Sequence, residues 1–233
     1  MGRIRLVTFD LDNTLWDVDS VIREAERVTR RWLIEQVPEA ADITPDAYLA
    51  LRAEALADAP RLAHDVSRLR IEVSRRALLG TGRSAQEAQR IAEAAFELFL
   101  HERHKVKYFD GALDALDTLA RRYALGSLTN GNADIGRLAL ARFFRFGISA
   151  AEVGASKPDA AMFRAALLRA RVTAVEAVHV GDHPVDDIQG ASDLGIHTVW
   201  VNLQGAAHPD GVTPTRAVAA LVELPDRIAE IDD

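Results

Sequence analysis

The first apolar run, Ile4 to Phe9, is short and rich in β-branched residues, is broken only by Arg5, and stops at Asp10-Leu11-Asp12-Asn13-Thr14. Such a run predicts a buried strand with acids at its C-terminal end. From Asp17 to about His104 the pattern predicts helices throughout. Val18 to Val37 is amphipathic, and Thr44-Pro45 supplies an N-cap and a first-turn proline for a helix over Asp46 to Asp58. A third helix is predicted over Asp65 to Leu79, ending near Gly80. Ser84 and Glu87 have the spacing of a capping box that opens a fourth over Ala85 to His101.

Beyond Tyr108 the pattern alternates. Helices are predicted over Ala112 to Arg122, Asp134 to Phe143, Asp159 to Arg169 and Val185 to Leu194. Strands are predicted over Ala124 to Leu128, Gly147 to Ser149, Ala177 to Val180 and His197 to Val201. Alternation implies a parallel sheet with helices on both faces and functional loops at the strands' carboxyl ends. The expectation is an α/β protein: a Rossmann-like parallel sheet core, residues 1–16 and 105–233, with an inserted all-helical cap domain, residues 17–104. No internal repeat stands out, and Gly205 to Thr215 is the most loop-like stretch.

Four segments end strands or follow them: Asp10 to Thr14, Thr129-Asn130-Gly131-Asn132, Ser156-Lys157-Pro158, and Gly181-Asp182 with Asp186-Asp187. Each alone reads as turn or helix-cap chemistry. A parallel sheet brings them to one edge, where their residue types suit one reaction. Two carboxylates one residue apart divide into nucleophile and proton carrier. A third, Asp182, completes an oxygen-rich site suited to magnesium. A hydroxyl and backbone amides around Thr129 and Asn130, with the Lys157 ammonium, hold phosphoryl oxygens.

This ordered set resembles the haloacid dehalogenase superfamily of phosphotransferases. Asp10-Leu11-Asp12-Asn13-Thr14-Leu15 is similar to its first motif, Thr129 to its second and Lys157 to its third. Gly181, Asp182, Asp187 and Ile188-Gln189-Gly190-Ala191 are similar to its fourth. The helical insertion looks like the first cap type of that superfamily. The resemblance implies that Asp10 attacks phosphorus and that Asp12 protonates the leaving ester oxygen, then deprotonates the hydrolytic water. It also implies magnesium held by Asp10, the Asp12 backbone carbonyl and Asp182, with Asp187 acting through water or on Lys157. Thr14 is expected in support of this set, and Asp186 either supports it or is a solvated residue at a helix start. Gly2-Arg3-Ile4, His64-Asp65-Val66-Ser67-Arg68, Thr129 to Asn132 and Ser156 to Pro158 look like the bacterial flavin mononucleotide phosphatases. That subgroup also dephosphorylates 5-amino-6-(5-phospho-D-ribitylamino)uracil in riboflavin synthesis. His64, Asp65 and Arg68 are the cap residues expected to select substrate; the alternative is that Asp65 caps a helix while Arg68 pairs with it or faces solvent.

Composition narrows the classes. Arginine and lysine total 28 against 35 acids, a net charge of −7, which leaves no electrostatic footprint for nucleic acid or an anionic membrane. With no cysteine, disulfides, thiolate metal sites and cysteine nucleophiles are excluded. No stretch reaches the roughly 18 apolar residues of a spanning helix, and the N-terminus lacks a signal-peptide pattern, so a soluble cytoplasmic enzyme for a small phosphate ester is expected. Lys157 is one of only three lysines, and a compact ammonium suits a single phosphoryl oxygen. His179 and Trp200 read as packed core. His183 is either a substrate contact or satisfied by its own loop; Trp16 and Asp17 are either a hinge or a staple for the first cap helix. A 2-haloacid dehalogenase is disfavoured, because halide leaves without a proton and that branch typically carries a non-acidic residue where Asp12 stands. A receiver domain would be half this length, and a silent binding protein would have lost motif positions. A mutase differs only in the fate of the aspartyl phosphate.

Overall fold

The computed structural model describes residues 3–207 and 211–232. Gly2, expected to belong to the lead-in to the first strand, and residues 208–210 of the expected loop lie outside the described residues. The chain divides into two compact units, Met1–Asp17 with Lys107–Asp233, and Val18–Val106. Among the described residues no helix is long and apolar enough to cross a membrane.

The first unit is a six-stranded parallel sheet of Rossmann-like type. Its strands are β1 (Leu6–Phe9), β2 (Ala124–Thr129), β3 (Phe144–Ser149), β4 (Ala177–Gly181), β5 (His197–Val201) and β6 (Arg216–Val218), in the spatial order β3-β2-β1-β4-β5-β6. Central strands buried on both faces need apolar residues in succession, and β1 and β4 are buried throughout. The helices outside the Val18–Val106 segment are α5 (Ala112–Ala120), α6 (Ala150–Val153), α7 (Ala160–Ala170), α8 (Gly190–Ser192) and α9 (Leu224–Asp232). Leu6, Leu128, Ile148 and Ala177 pack with Met162, Phe163 and Ala166 of α7 and Ala191 of α8 on one face. Chain order reverses about β1, which pairs with β2 on one side and β4 on the other. A crevice at the carboxyl ends of these strands is where open α/β sheets bind ligands.

Two predicted helices differ. Asp134 to Phe143 is two 3₁₀ segments, Ile135–Arg137 and Ala139–Phe143, separated by an extended Leu138. Gly136 is a weak helix former, and the Asp134 side chain accepts from the Gly136 N–H, an alternative to a helical bond. Val185 to Leu194 opens as a π-helical turn, Pro184–Gln189, before α8. The N–H groups of Asp187 and Ile188 both donate to the His183 carbonyl, which widens the turn and carries Asp187 inward. β6 and α9 follow the loop and lie outside the expected elements; the three residues of β6 are too few for a periodic signal.

The second unit contains α1 (Val18–Gln36), α2 (Pro45–Asp58), α3 (Val66–Gly80) and α4 (Ala85–Arg103), with 3₁₀ links at Pro38–Asp42 and Pro60–His64. Thr44 caps α2, and Ser84 and Glu87 form the capping box of α4. Alanines 88, 92 and 95 of α4 allow close approach to Leu33 and Val37 of the α1 end and to Leu78 of α3. Ala25 of α1 meets Phe96 and Phe99, and Ala55 of α2 meets Leu69 and Val73.

Candidate active site

The β1 ladder runs past the strand itself, since the Asp10 N–H donates to the Val180 carbonyl at 2.8 Å. This fixes Asp10 at the sheet edge beside Asp182, the residue after β4. The chain then turns at Asn13, whose φ of 61° is a left-handed conformation that asparagine tolerates better than most residues. The turn returns Thr14 to the carboxylates, and its hydroxyl lies 2.9 Å from Asp182 Oδ1 and 3.2 Å from Asp10 Oδ2. One hydroxyl proton serves two acceptors, so Thr14 ties the pair together.

Lys157 reaches the same point from the loop before α7. Its Nζ donates to Asp10 Oδ1 and to Asp187 Oδ1, both at 2.6 Å, with its side chain only 2% exposed. The Asn130 side chain secures this loop from both sides: its Oδ1 accepts from the Lys157 N–H at 2.7 Å and its Nδ2 donates to the Lys157 carbonyl at 2.9 Å. Thr129 Oγ1 accepts from the Gly131 N–H at 2.9 Å. The sequence pattern places Thr129 and Asn130 only around phosphate; the clamp of the Asn130 carboxamide on Lys157 was not foreseen, and no local pattern announces it. Asp186 lies 3.4 Å from Asn130 Nδ2.

The π-helical turn brings Asp187 against Gly181. A Cβ at residue 181 would fall inside the Asp187 carboxylate, which is why the acid of this motif is preceded by glycine. Likewise Gly190 lets the chain pass against the Pro158 main chain and Phe163. Asp187 Oδ2 accepts from the His183 N–H at 3.0 Å, and Oδ1 lies 3.1 Å from Nε2 of the buried His179. His183 is less enclosed, and its Nδ1 accepts from the Asp186 N–H at 3.0 Å. Trp200, read as core, is buried, and its indole N–H also donates to the Asp182 carbonyl at 2.8 Å. Trp16 is fully buried, and its Nε1–H donates to Asp12 Oδ1 at 2.9 Å. The Asp12 carboxylate is thereby oriented by an indole.

Three carboxylates face one ammonium. Burial pushes the Asp10 carboxyl up to about 8, with the Lys157 ammonium pulling down and Asp187 and Asp182 adding to the rise. Burial and Asp187 push Asp182 up to about 6. Against its own burial, Asp187 is held well below the carboxylate range by Lys157 and His179. Burial is also overcome at Lys157, which Asp10 and Asp187 hold above its ordinary value. Oxygen atoms of Asp10, Asp182 and Asp187 lie within 4.8 Å of one another, an all-oxygen set suited to a hard divalent cation. Asp10 and Asp182 fit that role best, because Asp187 already accepts from three donors.

A parallel sheet carrying these four segments at one edge defines the assignment, and the haloacid dehalogenase-like hydrolase family model matches residues 4–195. The chain belongs to that family. Among its relatives, the 5-amino-6-(5-phospho-D-ribitylamino)uracil phosphatase YigB of Escherichia coli is 33% identical over 201 residues, covering 86% of this chain and 84% of that protein. The phosphoserine phosphatase of Thermus thermophilus is 37% identical over 57% of this chain and 54% of its own. A structure described as 2-haloacid dehalogenase from Pseudomonas syringae pv. Tomato DC3000 superposes with a TM-score of 0.95 at 44% identity, covering 97% of this chain and 99% of that one. The chain is thus similar to phosphatases and to a structure named for dehalogenation, and it is a hydrolase of the family they share.

The expected cap residues form a group of their own in the helical unit. Asp65 is the N-cap of α3 and accepts from the Arg68 N–H at 2.9 Å, and the Arg68 guanidinium pairs with it at 3.4 Å while its side chain stays 80% exposed. His64 ends the preceding 3₁₀ segment. Arg68 also lines a cavity of about 460 Å³ with Leu62, Ile71 and Glu72.

Proposed function

We propose that the protein is a magnesium-dependent phosphohydrolase that acts on a small phosphorylated metabolite through an aspartyl phosphate at Asp10. The observation that carries this reading is a second carboxylate, Asp12, outside the acidic cluster of Asp10, Asp182 and Asp187 and oriented by the Trp16 indole. An alkoxide leaving group needs a proton at departure, and a carboxyl one residue beyond the nucleophile, held by the Trp16 indole, is placed to supply it.

In the first step an Asp10 carboxylate oxygen forms a bond to phosphorus and the phosphorus–ester oxygen bond breaks, its electron pair leaving on the ester oxygen. Asp12 gives that oxygen its proton. In the second step Asp12 takes a proton from water as the water oxygen attacks phosphorus, releasing inorganic phosphate and restoring Asp10. Lys157, together with amides near Thr129 and Asn130, holds the phosphoryl oxygens. Asp10, the Asp12 carbonyl and Asp182 would hold magnesium, which supplies charge neutralisation between the acids and the phosphate dianion. Thr14, Asp186 and Asp187 keep these groups in place. A helical cap of residues 17–104 is the natural source of selectivity for the leaving group.

The substrate reading is a ribityl phosphate, flavin mononucleotide or 5-amino-6-(5-phospho-D-ribitylamino)uracil, with His64, Asp65 and Arg68 contributing selectivity. It is supported by the resemblance of four segments to flavin mononucleotide phosphatases and by the similarity to YigB over most of the chain. Sugar and nucleoside monophosphates are the alternative. The similarity to a structure named 2-haloacid dehalogenase favours a second reading. Halide departs without a proton and its displacement needs no metal, so that reaction leaves both Asp12 and the acidic cluster without a task.

The deciding experiment is a panel of phosphate esters and 2-chloropropionate, assayed for inorganic phosphate and for chloride with magnesium and with excess chelator. Magnesium-dependent phosphate release, greatest in kcat/KM for the two ribityl phosphates, is expected. Chloride release that survives chelation overturns the phosphohydrolase reading, and a flat ester profile overturns the ribityl substrate.

A further inference from the structure

His179 is a fully buried titratable group to which the phosphohydrolase reaction gives no task. It lies on β4, on the face covered by α7, with the Phe163 ring edge-on at a centroid distance of 5.2 Å. Its two nitrogens meet different partners. Nδ1 is 2.8 Å from Thr8 Oγ1 on the neighbouring strand, and Nε2 is 3.1 Å from Asp187 Oδ1. A bare ring nitrogen facing a carboxylate would set two lone pairs against each other in a dry interior, so Nε2 carries the proton. The Thr8 hydroxyl then donates to the bare Nδ1. Burial also holds the imidazole below its ordinary pKa, which favours the neutral ring with a single N–H.

The consequence reaches Lys157. Asp187 Oδ1 accepts both from His179 and from the Lys157 ammonium, whose other carboxylate partner is Asp10, at the same 2.6 Å. A carboxylate oxygen that serves two donors grips each less tightly than one that serves a single donor. We propose that His179 is a positioning residue: its Nε2–H fixes the Asp187 carboxylate and takes up part of its charge, so that the Lys157 ammonium remains beside the Asp10 nucleophile instead of being drawn onto Asp187. The hydrogen-bonded chain runs Thr8, His179, Asp187, Lys157, Asp10. Its link to catalysis rests on the phosphohydrolase reading; the geometry itself does not.

Two substitutions separate the two nitrogens. An asparagine amide falls near Nδ1 and keeps a partner for Thr8 only, whereas a glutamine amide reaches toward Nε2 and can donate to Asp187. With p-nitrophenyl phosphate as substrate and inorganic phosphate as competitive inhibitor, His179→Asn should lower kcat/KM about 10- to 100-fold, the usual range for outer-shell partners. It should raise the phosphate inhibition constant about tenfold, while His179→Gln stays within about threefold of wild type in both. Equal losses in the two variants, or an unchanged inhibition constant in His179→Asn, would mean that His179 only fills the core, and would overturn the proposal. Nitrogen-15 spectra of the wild-type imidazole test the contact with neither folded variants nor turnover. A protonated Nε2 with a bare Nδ1 supports it, and the opposite tautomer overturns it. A wild type that leaves aryl phosphates intact overturns the phosphohydrolase reading instead, and the imidazole spectrum then decides the Asp187 contact independently.

Discussion

The sheet edge and the helical unit both hold acids close to bases, yet their charges do different work. At the edge, Lys157 and Asp187 are each only 2% exposed in their side chains, and the ammonium is shared between two carboxylates. In the helical unit, Glu72 pairs with Arg75 and Arg76, Arg70 with Glu26 and Arg68 with Asp65, all with solvent access. Water screens the second set, so each pair contributes at most about 1 kcal/mol. The first set has been taken out of water, and removing one partner leaves the others with no compensation. Similar ion pairs therefore lie at a screened surface in one unit and hold a buried acidic cluster together in the other.

The sharpest way to break this contrast is to remove charges at the edge. Asp10→Asn should abolish phosphate ester turnover, measured with an aryl phosphate, since an amide cannot form the aspartyl phosphate. Asp12→Asn should slow turnover on the order of 10²–10⁴-fold, with a smaller loss for better leaving groups. Equal losses for aryl and alkyl esters would remove the proton-transfer role.

Lys157→Met leaves Asp10, Asp182 and Asp187 facing one another without a cation and should cost about 3–5 kcal/mol in denaturant unfolding. Arg76→Met, which breaks pairs to Glu72 and Asp58 at the surface, should cost about 1 kcal/mol or less. Equal costs would erase the distinction between the two regions. Magnesium should act on the edge alone: at roughly 100 times its dissociation constant it should stabilise the wild type by about 2.7 kcal/mol. Asp182→Asn should lose most of that gain in the same unfolding measurement.

The smallest effect belongs to Glu72. Its hydrogen bonds from Arg75 and Arg76 lower its carboxyl from 4.5 to about 2. A depressed acid adds stability that is complete above the unfolded value of 4.5 and lost as pH falls through about 2. After allowance for screening the contribution is roughly 0.5–1 kcal/mol. Comparing the unfolding midpoints of wild type and Glu72→Gln at about pH 6 and about pH 2.5 checks it, and the difference should shrink at the lower pH.

What the sequence determined by itself was whatever local pattern encodes. The first strand, read from Ile4 and formed over Leu6–Phe9, the capping box at Ser84 and Glu87, the N-cap at Thr44 and the alternation after Tyr108 all rest on neighbours a few residues apart. The parallel alternation was also enough to gather Asp10, Asp182 and Lys157 at one edge, because strand ends are fixed by topology. The rest depends on contacts between distant parts of the chain. Asp134 to Phe143 carries apolar spacing compatible with a helix, yet folds as two 3₁₀ pieces around an extended Leu138. The ties of Asn130 to Lys157, of Trp200 to Asp182 and of His179 to both Thr8 and Asp187 join residues far apart in the chain or on different elements. A side chain in a buried strand looks the same in sequence whether it packs or donates. Its partner is set by strand order and register, and those arise only when the sheet assembles.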